Sequence, residues 1–350
     1  MLIRNAWYAA ALCNEIKSEE LFARTLLNDK IVFYRTSEGK VAALEDRCIH
    51  RQVPLSKGRL KGDQIECWYH GLRYEPSGKC VHIPSQRTIP ARACVRTYPV
   101  AEKYGWVWLW MGDPAQADEA LVPDHWPCTS PEFAGEMSYF HINTDYRLAV
   151  DNLLDLSHIA YVHPKTIVSQ AVAEATPEIT VKENEVRVRR TLRNETTPPL
   201  LKQMMGLDHI DRVQEVVYWP VANTRVETFA HPPGRPEGPV LRLFTTSMFT
   251  PETNDSIHAW VGMHRDFALG HPKLTEAITK EVIVTVLEDK DVTEHLQNNW
   301  KNDAPLIHLA VDRAAFAARE ILERLYTREN ATRTDTKRYL VSGEHGTSGP

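Results

Sequence analysis

Cys48-Ile49-His50 and Cys67-Trp68-Tyr69-His70-Gly71 are the two stretches of this sequence that decide its fold. Each stretch offers one cysteine thiolate and one histidine imidazole, so the four side chains form two mixed pairs. The surrounding sequence consists of short alternating apolar runs bounded by Gly and Pro, which is typical of short strands and turns. We therefore expect the two pairs to lie on loops of a small antiparallel β domain.

Mixed Cys/His pairs on two loops suit a Rieske [2Fe-2S] cluster, in which two cysteines hold one iron and two histidines hold the other. A Cys2His2 zinc site uses the same donors, and two unrelated buried pairs are a third interpretation. Zinc fingers usually place a cysteine pair before a histidine pair, so the mixed pairs favour the iron-sulfur cluster. Gly71 supports this, because a glycine lets the loop backbone turn close to a cluster. The predicted cofactor ligands are Cys48, His50, Cys67 and His70.

The domain organisation follows from changes in composition along the chain. The apolar run Trp106-Val107-Trp108-Leu109-Trp110 is predicted to close the β domain. From Gly112 to Gly135 the sequence is rich in Pro, Asp, Ala and Glu without clear periodicity, which indicates a linker on the surface. We place the first domain at residues 1–125 and a second domain at residues 126–326.

In the second domain, several strand-like runs precede two long helical patterns, at about 272–299 and 305–326. This order predicts an antiparallel sheet covered by helices, so the fold class of the chain is α+β. Residues 327–350 are polar and aperiodic, and we expect a mobile tail there.

A second metal site is indicated by His158 and His163, which lie in a predicted helix over 147–163. Five residues along a regular helix are about 140° apart in azimuth, so an unbroken helix cannot bring both imidazoles to one ion. Pro164 biases His163 toward an extended conformation and would end the helix there. Asp155, three residues before His158, is placed where its carboxylate could hold the free imidazole N–H.

Two histidines and one carboxylate form the facial triad of non-haem Fe(II) oxygenases, which leaves coordination positions open for O2. Taken alone, His158 and His163 would be ordinary buried or capping histidines. The cluster motif upstream makes the metal site the better interpretation.

The Cys48-x-His50 and Cys67-x-x-His70-Gly71 motif resembles that of the oxygenase components of Rieske non-haem iron oxygenases. Val53 and Tyr69 stand where respiratory Rieske proteins carry two further cysteines. The resemblance extends to about Leu325 and is closest to oxygenases of the vanillate and dicamba O-demethylase type. The stretches that carry this closer resemblance are Trp7-Tyr8, Asp151-Asn152-Leu153-Leu154-Asp155 and Thr250-Pro251-Glu252-Thr253.

The resemblance implies the remaining site residues. The third ligand of the mononuclear iron would be an Asp on a late helix, and Asp289 matches it, with Glu288, Asp291 and Glu294 as nearby rivals. It also implies a head-to-tail homotrimer, in which His70 of one subunit faces the mononuclear iron of the next through a bridging Asp155. Cyclic symmetry closes such heterologous contacts into a ring.

The resemblance further implies a monooxygenase that uses O2 to oxidise a small aromatic substrate, an anionic acid, in the catabolism of aromatic compounds. O-demethylation of a methoxylated acid with release of formaldehyde is the first candidate reaction. Aryl methyl or ring hydroxylation and N-demethylation are alternatives within the class. An electron carrier without oxygenase activity and a zinc-stabilised binding module are alternatives from other classes. The sequence contains no Gly-x-Gly-x-x-Gly fingerprint, so a separate flavin and iron-sulfur reductase is expected to supply electrons from NAD(P)H.

Composition restricts the partners and the compartment. The chain has 350 residues, a net charge of -5 and a pI near 6.3, so nothing favours binding to nucleic acid. The apolar run Ala6 to Cys13 is too short to span a bilayer and lacks the features of a signal peptide. Six cysteines in a chain of this size do not indicate a disulfide scaffold. We therefore expect a cytoplasmic protein that does not bind membranes.

Overall fold

The computed structural model describes residues 1–235, 240–301 and 304–342, with backbone only for 332–342. The first third of the chain forms three small sheets, in which every pairing between strands is antiparallel. Their strand orders are β1-β10-β9, β2-β3-β4 and β5-β6-β7-β8. The strands are β1 Trp7–Leu12, β2 Phe22–Leu26, β3 Asp29–Arg35, β4 Val41–Glu45, β5 Arg59–Lys61, β6 Gln64–Glu66, β7 Arg73–Tyr74, β8 Cys80–His82, β9 Val100–Lys103 and β10 Trp106–Trp110.

The rest of the chain is built on a seven-stranded antiparallel sheet of order β11-β17-β16-β15-β14-β13-β12. Helices pack against this sheet, as the α+β prediction requires. The strands are β11 Ala134–Ile142, β12 Glu178–Lys182, β13 Glu185–Thr196, β14 His209–Trp219, β15 Asn223–His231, β16 Leu241–Pro251 and β17 Ile257–Arg265. The helices are α1 Tyr146–Leu154, α2 Ile159–Val162, α3 Gln170–Glu174, α4 Pro199–Met205, α5 Pro272–Asn299 and α6 Arg313–Ser342.

The two halves share one hydrophobic core. Buried side chains of the first sheets, among them Tyr8 and Ile31, belong to the same cluster as those of α1, α5 and the large sheet. The hydroxyl of Thr250 donates to the carbonyl oxygen of Ala9 at 2.7 Å, and the N–H of Leu27 donates to the carbonyl oxygen of Pro251 at 2.9 Å. Packing and backbone hydrogen bonds therefore both hold the small sheets against the large one.

The structure corrects the prediction of one helix over 147–163. Helix α1 ends at Leu154, and Asp155 is extended, with φ -115° and ψ 94°. A short 3-10 turn, Leu156–His158, follows and leads into α2. The Asp155 carboxylate accepts from the N–H of Ser157 at 2.9 Å, so the same residue that ends α1 caps the turn after it.

The linker between the halves lies largely on the surface but buries a few of its side chains. It contains three 3-10 turns, Pro114–Gln116, Glu119–Leu121 and Trp126–Cys128. His125 is fully buried and stacks on Trp108, with ring centroids 6.0 Å apart. Burial lowers the pKa of His125 to about 3, so this histidine is neutral at physiological pH. The linker therefore packs against the tryptophan side chains of strand β10.

The end of the chain also differs from the prediction. Residues 304–309 form no helix, and α6 begins at Arg313. It then continues beyond Thr327, where no periodicity was visible, as far as Ser342. The Glu329 carboxylate accepts from the N–H groups of Arg4 and Asn5 at 2.7 and 2.9 Å, which ties α6 to the start of the chain. The rest of the expected tail, residues 343–350, lies outside the described residues. No helix in the described part of the chain is long and apolar enough to cross a membrane.

Candidate metal centres

The two Cys/His loops have the same backbone conformation. In each loop the cysteine N–H donates to the carbonyl oxygen five residues later, at 2.9 Å from Cys48 and 2.8 Å from Cys67. The cysteine carbonyl oxygen accepts from the N–H four residues later, at 2.9 and 3.0 Å. That fourth residue has a positive φ in both loops, 59° at Gln52 and 71° at Gly71. Glycine adopts this conformation without strain, which is the reason for a glycine after His70.

These loops bring the four predicted cluster ligands together. The cysteines are buried, with Cys48 1% and Cys67 2% exposed, whereas the His50 and His70 rings are exposed and have centroids 4.5 Å apart. Burial raises the pKa of the Cys67 thiol, and the neighbouring Cys48 raises it further. Two buried thiols beside two surface imidazoles fit a cluster with a thiolate-bound inner iron and an imidazole-bound outer iron. Such a cluster would exchange electrons through its histidine edge.

A tyrosine contacts the inner side of this site. The Tyr74 hydroxyl lies 3.1 Å from the Cys48 sulfur and is buried with it. A hydroxyl that donates to a ligand sulfur stabilises the more negative, reduced state of a cluster.

We therefore expect Tyr74→Phe to lower the reduction potential of the cluster without loss of cluster iron. Potentiometric titration followed by visible or EPR spectroscopy measures the shift. The matched control is Tyr34→Phe, because the Tyr34 hydroxyl is also buried in this domain but donates to the carbonyl oxygen of Asp63. Equal potentials in Tyr74→Phe and the wild type would show that the hydroxyl does not act on the cluster.

The second predicted site is formed by His158, His163 and Asp289. One donor atom from each of the three residues lies within 4.8 Å of the other two. Asp289 Oδ1 is 3.4 Å from His158 Nε2 and 3.1 Å from His163 Nε2. The two histidines come from the broken segment after α1, and Asp289 comes from α5, which packs against α1.

The break at Asp155 and the proline at position 164 together make this arrangement possible. His158 ends the 3-10 turn, and His163 lies one residue beyond α2, with φ -114° and ψ 55°. The centroids of the two rings are therefore only 5.3 Å apart. On an unbroken helix the rings would point to different sides. The restriction that Pro164 places on His163 was predictable, but the second interruption at Asp155 was not.

Outer hydrogen bonds orient both imidazoles toward Asp289. His158 Nδ1 contacts the Asp155 carbonyl oxygen at 2.7 Å, and His163 Nδ1 contacts Glu288 Oε2 at 2.8 Å. Both oxygens accept hydrogen bonds, so each Nδ1 carries the proton and each Nε2 presents a lone pair. His163 Nε2 is buried without a well-aligned hydrogen bond, although Asp289 Oδ1 is close.

Two nitrogen lone pairs and a carboxylate oxygen thus converge without a hydrogen atom between them. Burial raises the pKa of Asp289, but the interactions of its carboxyl group with the His158 and His163 rings outweigh burial and lower the pKa to about 2. The carboxylate is therefore ionised at neutral pH, as metal ligation requires. This donor set fits a divalent iron in a facial triad and leaves the remaining coordination positions to other ligands.

The rival acids make different contacts. Glu288 contacts the other ring nitrogen of His163, and the Asp291 side chain is 76% exposed. Glu294 pairs with Lys290 at 2.6 Å. Of the four acidic residues considered, only Asp289 faces both Nε2 atoms in this structure.

The geometry corrects one expected role of Asp155. Its backbone carbonyl oxygen, not its carboxylate, holds His158 within the chain. The carboxylate accepts from the Ser157 N–H and hydroxyl at 2.9 and 3.0 Å, and Arg190 Nη2 is 3.6 Å away. The Asp155 side chain is 26% exposed, so part of it remains available to a neighbouring molecule.

A cavity of about 140 Å³ opens beside the second site. His158, His163 and Asp289 contribute to its wall, and most of the remaining surface is apolar. Its apolar lining comes from the helices and from inward-facing strand positions, among them Leu153, Leu200, Val226, Leu243, Val261 and Val286. The sequence predicted strands in this part of the chain, but not that their side chains enclose a space.

Two family models match the chain. The Rieske [2Fe-2S] domain matches residues 6–99, and the vanillate O-demethylase oxygenase C-terminal domain matches residues 142–328. The first match contains both Cys/His loops, and the second contains His158, His163 and Asp289.

Known proteins resemble the chain along nearly its whole length. It is 39% identical to the toluene-4-sulfonate monooxygenase system iron-sulfur subunit of Comamonas testosteroni, over 94% of this chain and 99% of that protein. Identity is 33% to the oxygenase component of dicamba O-demethylase from Stenotrophomonas maltophilia, with the same coverage. The crystal structure of dicamba monooxygenase bound to 3,6-dichlorosalicylic acid matches with a TM-score of 0.90 and 32% identity, over 94% of this chain and 99% of that one.

Proposed function

The chain belongs to the Rieske non-haem iron oxygenases with a catalytic domain of the vanillate O-demethylase type, and we propose that it oxidises a methyl group of a small aromatic acid. It is the oxygenase component of a monooxygenase that uses a [2Fe-2S] cluster, non-haem iron and O2, with electrons from a separate reductase. The observation that carries the proposal is the convergence of His158, His163 and Asp289 at the wall of a mainly apolar cavity.

The first candidate reaction is O-demethylation of a methoxylated aromatic acid. Iron held by His158, His163 and Asp289 would supply the activation of O2. One oxygen atom enters a methyl C–H bond, and the other leaves as water with two electrons and two protons. The resulting hemiacetal breaks down to a phenol and formaldehyde. The reaction also requires that water is excluded and that the methyl group is held near the iron, and an apolar cavity wall supports both.

Electrons must pass from the cluster to the mononuclear site. The exposed rings of His50 and His70 and the partly exposed carboxylate of Asp155 support a route across a subunit boundary. We propose a head-to-tail homotrimer in which Asp155 receives a hydrogen bond from His70 of the neighbouring subunit. Within its own chain Asp155 would act on the iron site through His158, whose ring its carbonyl oxygen holds.

A second candidate reaction is hydroxylation of a methyl group bound to an aromatic carbon. The relative at 39% identity is a toluene-4-sulfonate monooxygenase subunit, and toluene-4-sulfonate carries a C-methyl group but no methoxy group. This reaction needs the same two metal centres and the same supply of electrons. It gives a stable benzylic alcohol and no formaldehyde.

A coupled assay separates the candidates. The iron-loaded oxygenase is combined with a promiscuous Rieske reductase and NADH, and methoxybenzoates and methylated arenesulfonates are offered in parallel. Substrate-dependent formaldehyde supports O-demethylation, whereas a benzylic alcohol supports C-methyl hydroxylation. If O2 uptake with every member of both groups stays at the substrate-free rate, the proposed substrate class is wrong.

The metal content of the protein gives an independent test of the two sites. A fully loaded preparation should contain two cluster irons and one mononuclear iron per chain, because both donor sets are complete. Total iron, acid-labile sulfide and the visible spectrum measure this composition. Zinc alone, or only the two cluster irons, would contradict the two-site hypothesis.

A further inference from the structure

A polar corner of the mainly apolar cavity is formed by Arg212, Gln214 and Thr228. Arg212 and Gln214 are two residues apart on β14 and so face the same side of the sheet. Thr228 on β15 is directly paired with Gln214 in the strand register. The three residues are 4%, 8% and 8% exposed, so their polar groups meet the cavity and not bulk solvent.

Neighbouring side chains hold the Arg212 guanidinium in place and leave one edge free. Nε donates to Glu195 Oε1 at 2.5 Å, and Nη2 donates to Glu195 Oε2 at 3.0 Å and to Ser169 Oγ at 3.1 Å. Ser169 in turn donates to Glu195 Oε2 at 2.9 Å, which closes the network. These contacts use the single N–H of Nε and both N–H groups of Nη2. Nη1 has no hydrogen-bond partner in the described part of the chain.

Gln214 is the second unsatisfied group of the corner. Neither end of its amide has a hydrogen-bond partner among the residues that the structure describes, and Oε1 is fully buried. A buried amide without partners is costly, so a ligand that bonds to it gains the hydrogen bonds that the protein lacks. The corner thus offers N–H donors from Arg212 Nη1 and from the Gln214 amide at one place.

The other charged groups of the cavity wall are arranged differently. Lys290 donates to Glu294 at 2.6 Å and to the His141 carbonyl oxygen at 2.8 Å. Glu281 and Asp289 are acidic and would repel an anion. Lys290 thus keeps one of its three N–H groups, whereas Arg212 keeps both N–H groups of Nη1 for a ligand.

We propose that Arg212, held in position by Glu195 and Ser169, binds the acidic group of the substrate together with Gln214. This inference rests on the proposed function, and it names the ligand chemistry of the corner as a carboxylate or a sulfonate. Two oxygens of such a group accept from Arg212 Nη1 and Gln214 Nε2. The same cavity reaches His158, His163 and Asp289, so the rest of the molecule lies on the side of the metal site.

The test measures binding and not turnover. Isothermal titration calorimetry is performed on the iron-loaded protein without reductase or NADH. The probes are toluene-4-sulfonate with methyl 4-methylphenyl sulfone, and 4-methoxybenzoate with 4-methoxybenzamide, each an anion with an uncharged analogue of similar shape. In the wild type, at least one anion should bind about tenfold more tightly than its analogue.

The main variant is the double substitution Arg212→Gln/Glu195→Gln, which removes both charges without leaving a lone buried carboxylate. It should weaken binding of the anion by about 10- to 100-fold and change binding of the uncharged analogue by less than about threefold. If the double variant does not fold, Gln214→Met, which leaves the ion pair intact, should still weaken binding of the anion. Lys290→Met is the control and should keep the preference for the anion.

The proposal is overturned if the wild type shows no preference for either anion or binds none of the probes. It is also overturned if the preference survives the Arg212 and Gln214 variants, or disappears in Lys290→Met. Because no electrons are supplied, these outcomes are independent of whether the proposed reaction occurs. Loss of the preference in the Arg212 variant together with no turnover of any probe would refute the reaction but not the binding site.

Discussion

Replacing Asp289 with alanine is expected to remove the mononuclear iron and to reduce turnover by about 100-fold or more, while the cluster stays intact. The variant removes the carboxylate oxygen that faces both His158 and His163. His158→Ala and His163→Ala should have the same effect, because two remaining donors hold a divalent ion weakly. Metal analysis combined with the visible spectrum of the cluster measures both parts of the prediction.

Asp291→Ala is the matched control. Asp291 lies two residues later on the same helix, but its side chain is exposed. This variant should keep three irons per chain and normal turnover. Iron loss in Asp291→Ala, or retention of mononuclear iron in Asp289→Ala, would show that the carboxylate ligand is a different residue.

Replacing Asp155 with asparagine should slow turnover by about 100-fold while both metal centres remain occupied. The Asp155 carbonyl oxygen that holds His158 belongs to the backbone and is unchanged by the substitution. The asparagine side-chain oxygen can still accept from the Ser157 N–H, so the break after α1 is preserved. The substitution therefore removes only the negative charge of the side chain. A neutral amide cannot supply that charge between two imidazoles.

Single-turnover experiments measure this prediction directly. Chemically reduced Asp155→Asn is mixed with O2 and substrate, and oxidation of the cluster is followed by its absorbance. The cluster should be reducible as in the wild type but should transfer its electron slowly. Wild-type rates of cluster oxidation would eliminate Asp155 from the electron route.

Subunit mixing tests whether the route crosses between chains. A His70→Ala variant should lack an intact cluster, and Asp155→Asn should lack the proposed bridge, so each variant alone should have little or no activity. In mixed trimers some neighbours combine an intact cluster with an intact bridge, and part of the activity should return. Mixed trimers of proven composition that stay inactive would leave only a route within one chain.

Much of the candidate site was predictable because its ligands are paired locally. Cys48 with His50, and Cys67 with His70, each lie within one short loop, so their spacing alone indicated a cluster. The α+β class followed from the periods of the strands and helices for a similar reason, since each period reports a local pattern of burial. The interruption at Asp155 was missed because an aspartate that caps a turn is also compatible with a helix surface.

The sequence by itself determined the donor types, the two local pairs of predicted cluster ligands and the α+β fold class. Only the tertiary structure decided which acid faces the two histidines and which arginine lines the cavity. Neighbouring residues of a helix differ by about 100° in direction, so Glu288 and Asp289 contact different nitrogens of His163 only because of how α5 packs. Likewise Arg212 meets Glu195 through the pairing of two strands, and contacts between distant segments depend on packing that no local pattern records.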